Sequence, residues 1–430
     1  MIAFSKNADS TVERALEAFA RTADSVVPAQ NGEQHPARRG SVLVVTGSSV
    51  RNLTEKIQLD GFKSVQLFAL LPSTRTSSWL LPLKNRPCAL SGSQIYAPYA
   101  WRARMLKKLL LAAIQVNSTA WARHRVLIAS TRPLLLQQFV TEVTGEREPV
   151  FSLLLGTPGP FRKLTIQVMR ADGEILGYIK LSLTPAAIAR VRAEAAMLQR
   201  LSLFPELHPH LPRLIHAGEW QGGYLLFQSP GPLRPGPVEF GQAHQRFLQA
   251  LWSVHSTEKA GRVLVEGIAA RWQKIDSLLD PMLRELGERT LERAALDLSD
   301  VTVRCGIMHG DFAPWNTRLG DKGDLFVFDW ESAVWEAPIS WDVFHFHGQI
   351  ASLLKKKTNG SSFLLPESPS TRASFLLYLL SSICHSFEAG SCTRAGIGYW
   401  LTILQEQLSR GQVAIPQSLP LGRPTRKRNQ

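Results

Sequence analysis

GIMHGDFAPWNTRLGDKGDLFVFDWES, residues 306–332, carries the chemistry of this chain. A short apolar run leads to His309, Gly310 and Asp311. Asn316 stands five residues after the aspartate, and a β run over 325–328 delivers Asp329 and Trp330. The order is strand, polar loop, strand, loop, so a hydrophobic hairpin closes the loop and puts Asp311, Asn316 and Asp329 at one end of two adjacent strands. Two carboxylates and a carboxamide are hard oxygen ligands that suit Mg²⁺, which takes few protein groups and leaves room for phosphate oxygens. Asp311 can then stay off the metal and orient a substrate hydroxyl or accept its proton. A lone His-Gly-Asp is an ordinary turn, because Gly and Asp favour turns for conformational reasons. The fixed Asn, the second Asp after a strand, and a lysine and a glutamate upstream are what make it a site.

The pattern HGDxxxxN, followed thirteen residues later by an aspartate, resembles the signature of the aminoglycoside phosphotransferase and choline kinase-like family. These are small-molecule kinases of the protein-kinase-like fold, and His309, Gly310, Asp311, Asn316 and Asp329 match each position. The resemblance covers about residues 150–410. It implies an α+β, bilobal protein-kinase-like fold, here preceded by an additional N-terminal α/β region. It also implies ATP and Mg²⁺ as cofactors, Asp311 as the catalytic group, and Asn316 and Asp329 as metal ligands. His309 and Gly310 then shape the loop and carry no proton. Trp330 and Glu331 match the Trp and acid that commonly follow in the family. Residues 337–342 resemble its Gly-x-Pro-x-x-Asp-Leu element, with Ala337 in place of the glycine and Val343 in place of the leucine. The aspartate of that element, Asp342, is expected to hold the catalytic loop through backbone hydrogen bonds.

Upstream, the nucleotide-binding half is expected to begin near Pro149. An apolar run at 151–155, a turn containing Gly156 and Gly159, and a strand over 162–169 would form a strand-turn-strand whose amides approach phosphates. Two prolines in that turn remove donors, so a plain hairpin reads almost as well. Asp172-Gly173 is a hairpin turn leading to ILGYIKLSL, residues 175–183. Lys180 lies in the middle of this apolar strand, where a charge needs pairing. The resemblance supplies the α and β phosphates of a nucleotide as its partner, and Glu194 on the helix Pro185–Leu201 as the group that orients it. Two further strands end at a Pro/Gly-rich linker, where the resemblance implies that Phe227, Gln228 and Ser229 receive the adenine. A helix from Gln242 carries His255 at its end, in a packing role.

The expected organisation is an N-terminal α/β region (1–148), a nucleotide-binding lobe (149–229), a mostly helical catalytic lobe (230–412) and a basic tail (413–430). Residues 9–23 follow a helical pattern, 31–40 a loop, and 41–46 and 63–71 read as strands. The small residues at 47–49 are a weak phosphate-binding signal without a G-x-G-x-x-G. Residues 96–115 read as an amphipathic helix with Arg102, Arg104, Lys107 and Lys108 outward, a solvated face of a packed helix in preference to a membrane anchor. A polar loop is expected over 355–372.

Composition is that of a globular protein, 44% hydrophobic and 20% charged. The formal charge of +14 favours acidic partners such as nucleotide phosphates, with peripheral contact with anionic surfaces as a secondary expectation. No nucleic-acid module accompanies the charge. Cys88, Cys305, Cys384 and Cys392 have neither metal nor disulfide spacing, which fits a reduced cytoplasmic protein. The N-terminus lacks a secretory pattern, and the apolar run at 375–384 is about half of the roughly 20 residues a span needs. The sequence therefore reads as an ATP-dependent phosphotransferase acting on a hydroxyl of a small molecule: a sugar, an amino alcohol, an aminoglycoside-like compound or a cell-envelope intermediate. A catalytically silent nucleotide-binding scaffold is the alternative, followed by a basic protein of nucleic acid or membrane surfaces.

Overall fold

The computed structural model of the chain describes residues 19–20, 42–47, 64–71, 79–99, 101–116, 121–122, 124–156, 159–354, 368–388 and 394–409. The expectations for most of 9–23, for 31–40, for Ser48-Ser49, for 355–367, for Cys392 and for the tail lie outside these residues. The elements run β1 (Val42–Gly47), β2 (Ser64–Leu71), β3 (Trp79–Pro82), α1 (Arg86–Gly92), α2 (Trp101–Gln115), β4 (Arg125–Ser130) and α3 (Leu135–Thr144). Then come β5 (Val150–Leu155), β6 (Lys163–Met169), β7 (Ile175–Ser182), α4 (Pro185–Leu201), β8 (Leu214–Trp220) and β9 (Gly223–Gln228). The remainder is α5 (Gln242–Val254), β10 (Ser256–Ala260), α6 (Gly261–Ile275), α7 (Pro281–Asp297), β11 (Thr302–Met308), β12 (Thr317–Leu319), β13 (Leu325–Val327), β14 (Val334–Pro338), α8 (Trp341–Leu354), α9 (Pro369–Glu388) and α10 (Arg394–Ser409).

By contact density the chain divides into two compact units, Met1–Ser256 with Gly306–Thr358, and Thr257–Cys305 with Asn359–Gln430. The first is built on one nine-stranded sheet of order β1-β4-β2-β3-β5-β6-β7-β9-β8. The strands β1 to β4 from the N-terminal third continue the sheet that carries Lys180. β3 joins β5 antiparallel through Trp79 opposite Leu154 and Leu80 opposite Leu153. One apolar core underlies the join: Phe68, Leu80 and Val126 from the early strands pack with Phe151, Ile166 and Ile179 from the later ones. The strand expected before Gly47 thus belongs to an antiparallel sheet, with β1 lying against β4.

Strand alternation then sorts side chains between the two faces. In β6, Leu164, Ile166 and Val168 enter the core. Thr165 lies opposite Lys180 of β7, and paired antiparallel residues share a face, so Lys163 and Lys180 are on the same side of the sheet. α4 starts cleanly because the Thr184 hydroxyl caps the amide of Ala187 and a proline occupies its first turn. Its Val191 and Ala195 pack on Leu226 of β9. The run β5-β6-β7-α4-β8-β9 followed by helices is a protein-kinase-like α+β fold. Below it, Phe247, Leu251, Phe312, Val327, Trp330 and Phe346 form a second core that fixes the loop between β11 and β12. In the second unit α9 packs on α6, α7 and α10, and the Arg271 guanidinium of α6 is paired with Glu388 of α9 at 2.8 Å. The apolar run at 375–384 is the buried face of α9. No helix among the described residues is long and apolar enough to cross a membrane.

Candidate active site

Lys180 leaves the middle of β7 almost fully buried. Its ammonium donates to both oxygens of Glu194, at 2.5 and 2.6 Å, and to Asp329 Oδ1 at 2.6 Å. A strand, a helix and the loop after β13 therefore meet on one ammonium. Lys163 joins them, donating to Asp329 Oδ1 at 2.9 Å and to Glu331, whose other oxygen faces Arg190 at 3.4 Å. Burial pushes the Asp329 carboxyl up, but the attraction of Lys163 and Lys180 outweighs it and holds the group far below the usual carboxylate range. Burial pulls the Lys163 pKa down, and the attraction of Asp329 and Glu331 outweighs it and raises the ammonium above the usual lysine range. Glu194 has no access to water, and its carboxyl is raised by that burial against the pull of Lys180. Asp329 holds this position with a left-handed backbone, φ 70°, a conformation that costs a non-glycine residue about 1–3 kcal/mol and is kept where the surroundings enforce it.

The loop carrying Asp311 is fixed from beneath. Asp342, at the start of α8, accepts from the backbone N–H of His309 at 2.7 Å and of Gly310 at 3.0 Å. Burial raises its carboxyl, and those two amides oppose the rise. The His309 ring bridges the loop to the next strand: its Nε2 donates to the Phe328 carbonyl at 3.0 Å, and Nδ1 accepts from the amide of Asp311 at 3.2 Å. A ring used this way, fully buried and with its pKa lowered by that burial, is neutral and carries no proton to or from a substrate. Gly310 has φ +80°, and a Cβ there would run into the Ser332 carbonyl oxygen. Asp311 itself is about one-third exposed; its Oδ1 faces His345 Nε2 at 3.0 Å and its Oδ2 accepts from Asn316 Nδ2 at 2.8 Å. Among the described residues neither the Asn316 carboxamide oxygen nor Asp329 Oδ2 has a hydrogen-bond partner, and the Phe328 amide donates to the Asn316 backbone carbonyl at 3.1 Å, next to Asp329 in the chain. Both free atoms are hard oxygens, the donor type a divalent cation takes. Glu194, Asp329 and Glu331 also offer oxygens within 4.8 Å of one another, but Lys180, Lys163 and Arg190 already neutralise the two glutamates.

Beside this cluster opens a cavity of about 620 Å³. Lys163, Lys180 and Asp329 line one end, and Gln228, Ser229 and Gly231 border it where the sheet ends. The Gln228 side-chain oxygen is buried without a hydrogen-bond partner. Of the other residues singled out from sequence, Phe227 turns its ring into the core against Phe139. Gly156 and Gly159 belong to a hairpin closed by the Gly156 amide on the Lys163 carbonyl and the Arg162 amide on the Gly159 carbonyl. The Gly156 amide is thereby occupied, and neither glycine lines the cavity. The Ser229 amide likewise donates to the Arg213 carbonyl at 2.9 Å.

Four contributors, Lys163, His345, Tyr99 and Arg318, were not singled out from sequence, and a fifth, Lys107, was expected on the solvent side. Lys163 and His345 could have been found from spacing, the first by strand alternation and the second as one helical turn beyond Asp342. Tyr99 and Arg318 could not, nor could the facing of Lys107, because the N-terminal segment that meets Arg318 lies about 200 residues before it. That segment crosses the mouth of the cavity: Tyr99 donates to the Pro314 carbonyl at 2.6 Å, and its ring meets Trp315 edge-on. Arg318 stacks on Phe328 and donates to the carbonyls of Trp315 and Thr317, and Lys107 donates to the Tyr96 carbonyl. No carboxylate pairs with either cation among the described residues. Burial, with Arg318 adding to it, lowers Lys107 to about 8. Lys107 therefore faces the cavity and not solvent as its helical position had suggested, since the arc of α2 that packs is decided by the sheet beneath it.

No protein-family model and no curated protein matches the sequence. Among solved structures, the chain is similar to a thermostable mutant of the aminoglycoside phosphotransferase APH(4)-Ia in ternary complex with AMP-PNP and hygromycin B, at 16% identity and a TM-score of 0.47, over 64% of this chain and 99% of that one. It is similar to aminoglycoside 2'-phosphotransferase-IIIa with GDP, at 12% identity and a TM-score of 0.41, over 64% and 98%. It is also similar to a candidate fructosamine-3-kinase from Haemophilus somnus 129PT, at 13% identity and a TM-score of 0.43, over 64% and 96%.

Proposed function

We propose that the chain is an ATP-dependent kinase of small molecules, moving the γ-phosphate to a hydroxyl. The observation that carries this reading is Lys180, held between Glu194 and Asp329 at the end of a cavity large enough for a nucleotide. A buried ammonium shared by two carboxylates is costly unless it serves a ligand, and phosphate oxygens are the anions it suits. The triphosphate lies against Lys180 and Lys163, and the base lies at the Gln228 end, where the orphaned side-chain oxygen accepts from an amino or ring N–H. Lys107 and Arg318 supply a second pair of cations to the same nucleotide.

Mg²⁺ would be held by Asp329 Oδ2 and the Asn316 carboxamide oxygen, and when bound it neutralises charge on the phosphate oxygens. Asp311 orients the acceptor hydroxyl and takes its proton, with His345 and Asn316 fixing the carboxylate plane from both sides. Transfer makes a bond from the acceptor oxygen to the γ-phosphorus and breaks its bond to the β–γ bridging oxygen, leaving ADP. A chain with a formal charge of +14 suits a neutral or acidic acceptor over a polycationic one. The test is ATP consumption by the purified protein with Mg²⁺ across sugars, amino alcohols and aminoglycosides, beside Asp311→Ala. Acceptor-dependent ADP release by the wild type and its loss by about 10³-fold or more in Asp311→Ala is expected. Equal turnover by the two proteins would take Asp311 out of the mechanism.

A further inference from the structure

Fourteen large hydrophobic side chains are exposed among the described residues, and six of them fall in residues 96–116, so the exposure is concentrated. Trp101, Met105, Leu106 and Leu109 of α2, and Val116 directly after it, are 50 to 76% exposed. At 100° per residue, Trp101, Met105, Leu109, exposed Ala112 and Val116 share one stripe, and Leu106 widens it. A helix of a globular protein ordinarily turns such a stripe inward. Here the inward arc is a different one: Leu110 and Ile114 pack against Ala69, Trp79, Leu81 and Ala89. The outward stripe is a second apolar face, with nothing covering it among the described residues.

Its border identifies what covers it. Exposed Arg102 lies within the stripe between Leu109 and Leu106, exposed Arg104 and Lys108 stand along its other border, where they also line the cavity, and residues 96–116 contain four cations and no carboxylate. Arg102 lies over the Trp101 ring at 5.4 Å, so the tryptophan carries a cation at its edge. A protein partner's apolar groove would leave those cations to be matched one by one. An anionic lipid surface meets both demands at once: its acyl boundary takes the stripe, its headgroups take the basic rim, and a tryptophan sits at the junction. We infer that α2 is a membrane-surface helix that docks the protein in the plane of an anionic bilayer through Trp101, Met105, Leu106 and Leu109. The cavity is lined from the same helix by Arg104, Lys107, Lys108 and Leu111, on the arc that adjoins the docked face.

Docking is independent of the kinase reading, since it needs neither nucleotide nor acceptor, and is read without activity. The full-length protein is sedimented with vesicles of phosphatidylcholine alone and of phosphatidylcholine with phosphatidylglycerol, at low and high salt. Binding to the anionic vesicles, weakened by salt, is expected. Leu106→Glu with Leu109→Glu should lower the partition coefficient about tenfold or more, with nucleotide binding and melting temperature unchanged. If those glutamates impair folding, Leu106→Gln with Leu109→Gln gives the same comparison. Brominated lipid should quench part of the wild-type tryptophan fluorescence, and that part should vanish in Trp101→Phe. Absence of binding to anionic vesicles, or equal binding by the folded double variant, overturns the inference. So does a dimer that the double variant dissociates, in a protein that ignores vesicles, since a second copy then covers the stripe.

Discussion

Lys107 and Arg318 are the residues whose state depends most on a ligand. Among the described residues neither pairs with a carboxylate; both are part-buried, and that burial, with Arg318 adding to it, lowers Lys107 to about 8. An anion beside it favours the protonated form, so affinity is full below that value and falls as pH rises through it. Nucleotide titrations at about pH 6.5 and about pH 9.5, on either side of that value, should show weaker binding at the higher pH. Lys107→Met should bind more weakly at the lower pH and lose most of the pH dependence. A variant as steep as the wild type would place the titration elsewhere. These two residues also mark the limit of what sequence conveys. Asp311, Asn316 and Asp329 are legible because 19 positions hold all three, and a loop between paired strands must bring them together. Lys107 is about 200 residues from Arg318, and only the folded sheet makes them neighbours.

At the scale of elements, β7 and α4 are joined by the pair Lys180 and Glu194, both buried. Removing one partner from such a pair leaves an uncompensated charge and costs about 3–5 kcal/mol. Lys180→Met should therefore lower the melting temperature sharply, and Lys180→Met with Glu194→Gln should recover part of the loss. Equal melting temperatures for the single and double variants would mean that Asp329 and Lys163 rebalance the site alone. The strand and the helix are readable from their apolar patterns, and the observed bounds of α4 coincide with the expected ones. The facing of α2 is not readable in the same way. Its sequence is apolar on more than one arc, with Leu110 and Ile114 on one and Leu106 and Leu109 on another. Which arc packs is settled by contact with β2, β3 and α1. The β5–β6 turn is similar: Gly156 and Gly159 read almost equally as a phosphate loop and as a plain hairpin, and the amide of Gly156 closes a hairpin.

Over the whole molecule, the strands β1 to β4 are joined to the later strands by backbone pairing and a shared core. Trp79 and Leu80 continue the ladder into β5, and Phe68 and Val126 pack with Phe151 and Ile166. A chain cut to residues 149–430 would leave β5 as an open edge and that core half uncovered, so it should aggregate or melt without a cooperative transition. A soluble fragment with wild-type melting would show the early strands to be an accessory. The extension was invisible from sequence because β3 is four residues long and pairs with a strand about 70 residues later, a connection that no local pattern encodes. The overall charge was visible, and its placement was not: Arg104, Lys107, Lys108, Lys163, Lys180 and Arg318 gather at the cavity, and Arg102 stands on the exposed stripe of α2.

The central claim, that the Lys180 and Asp329 cluster serves a nucleotide, is tested most directly by calorimetric titration with ATP and Mg²⁺, below the melting point of each protein. Saturable binding is predicted, about tenfold or more weaker in Lys180→Met and in Asp329→Ala, and at wild-type strength in Asp311→Ala. No binding by the wild type, or the same affinity in all four proteins, would contradict it.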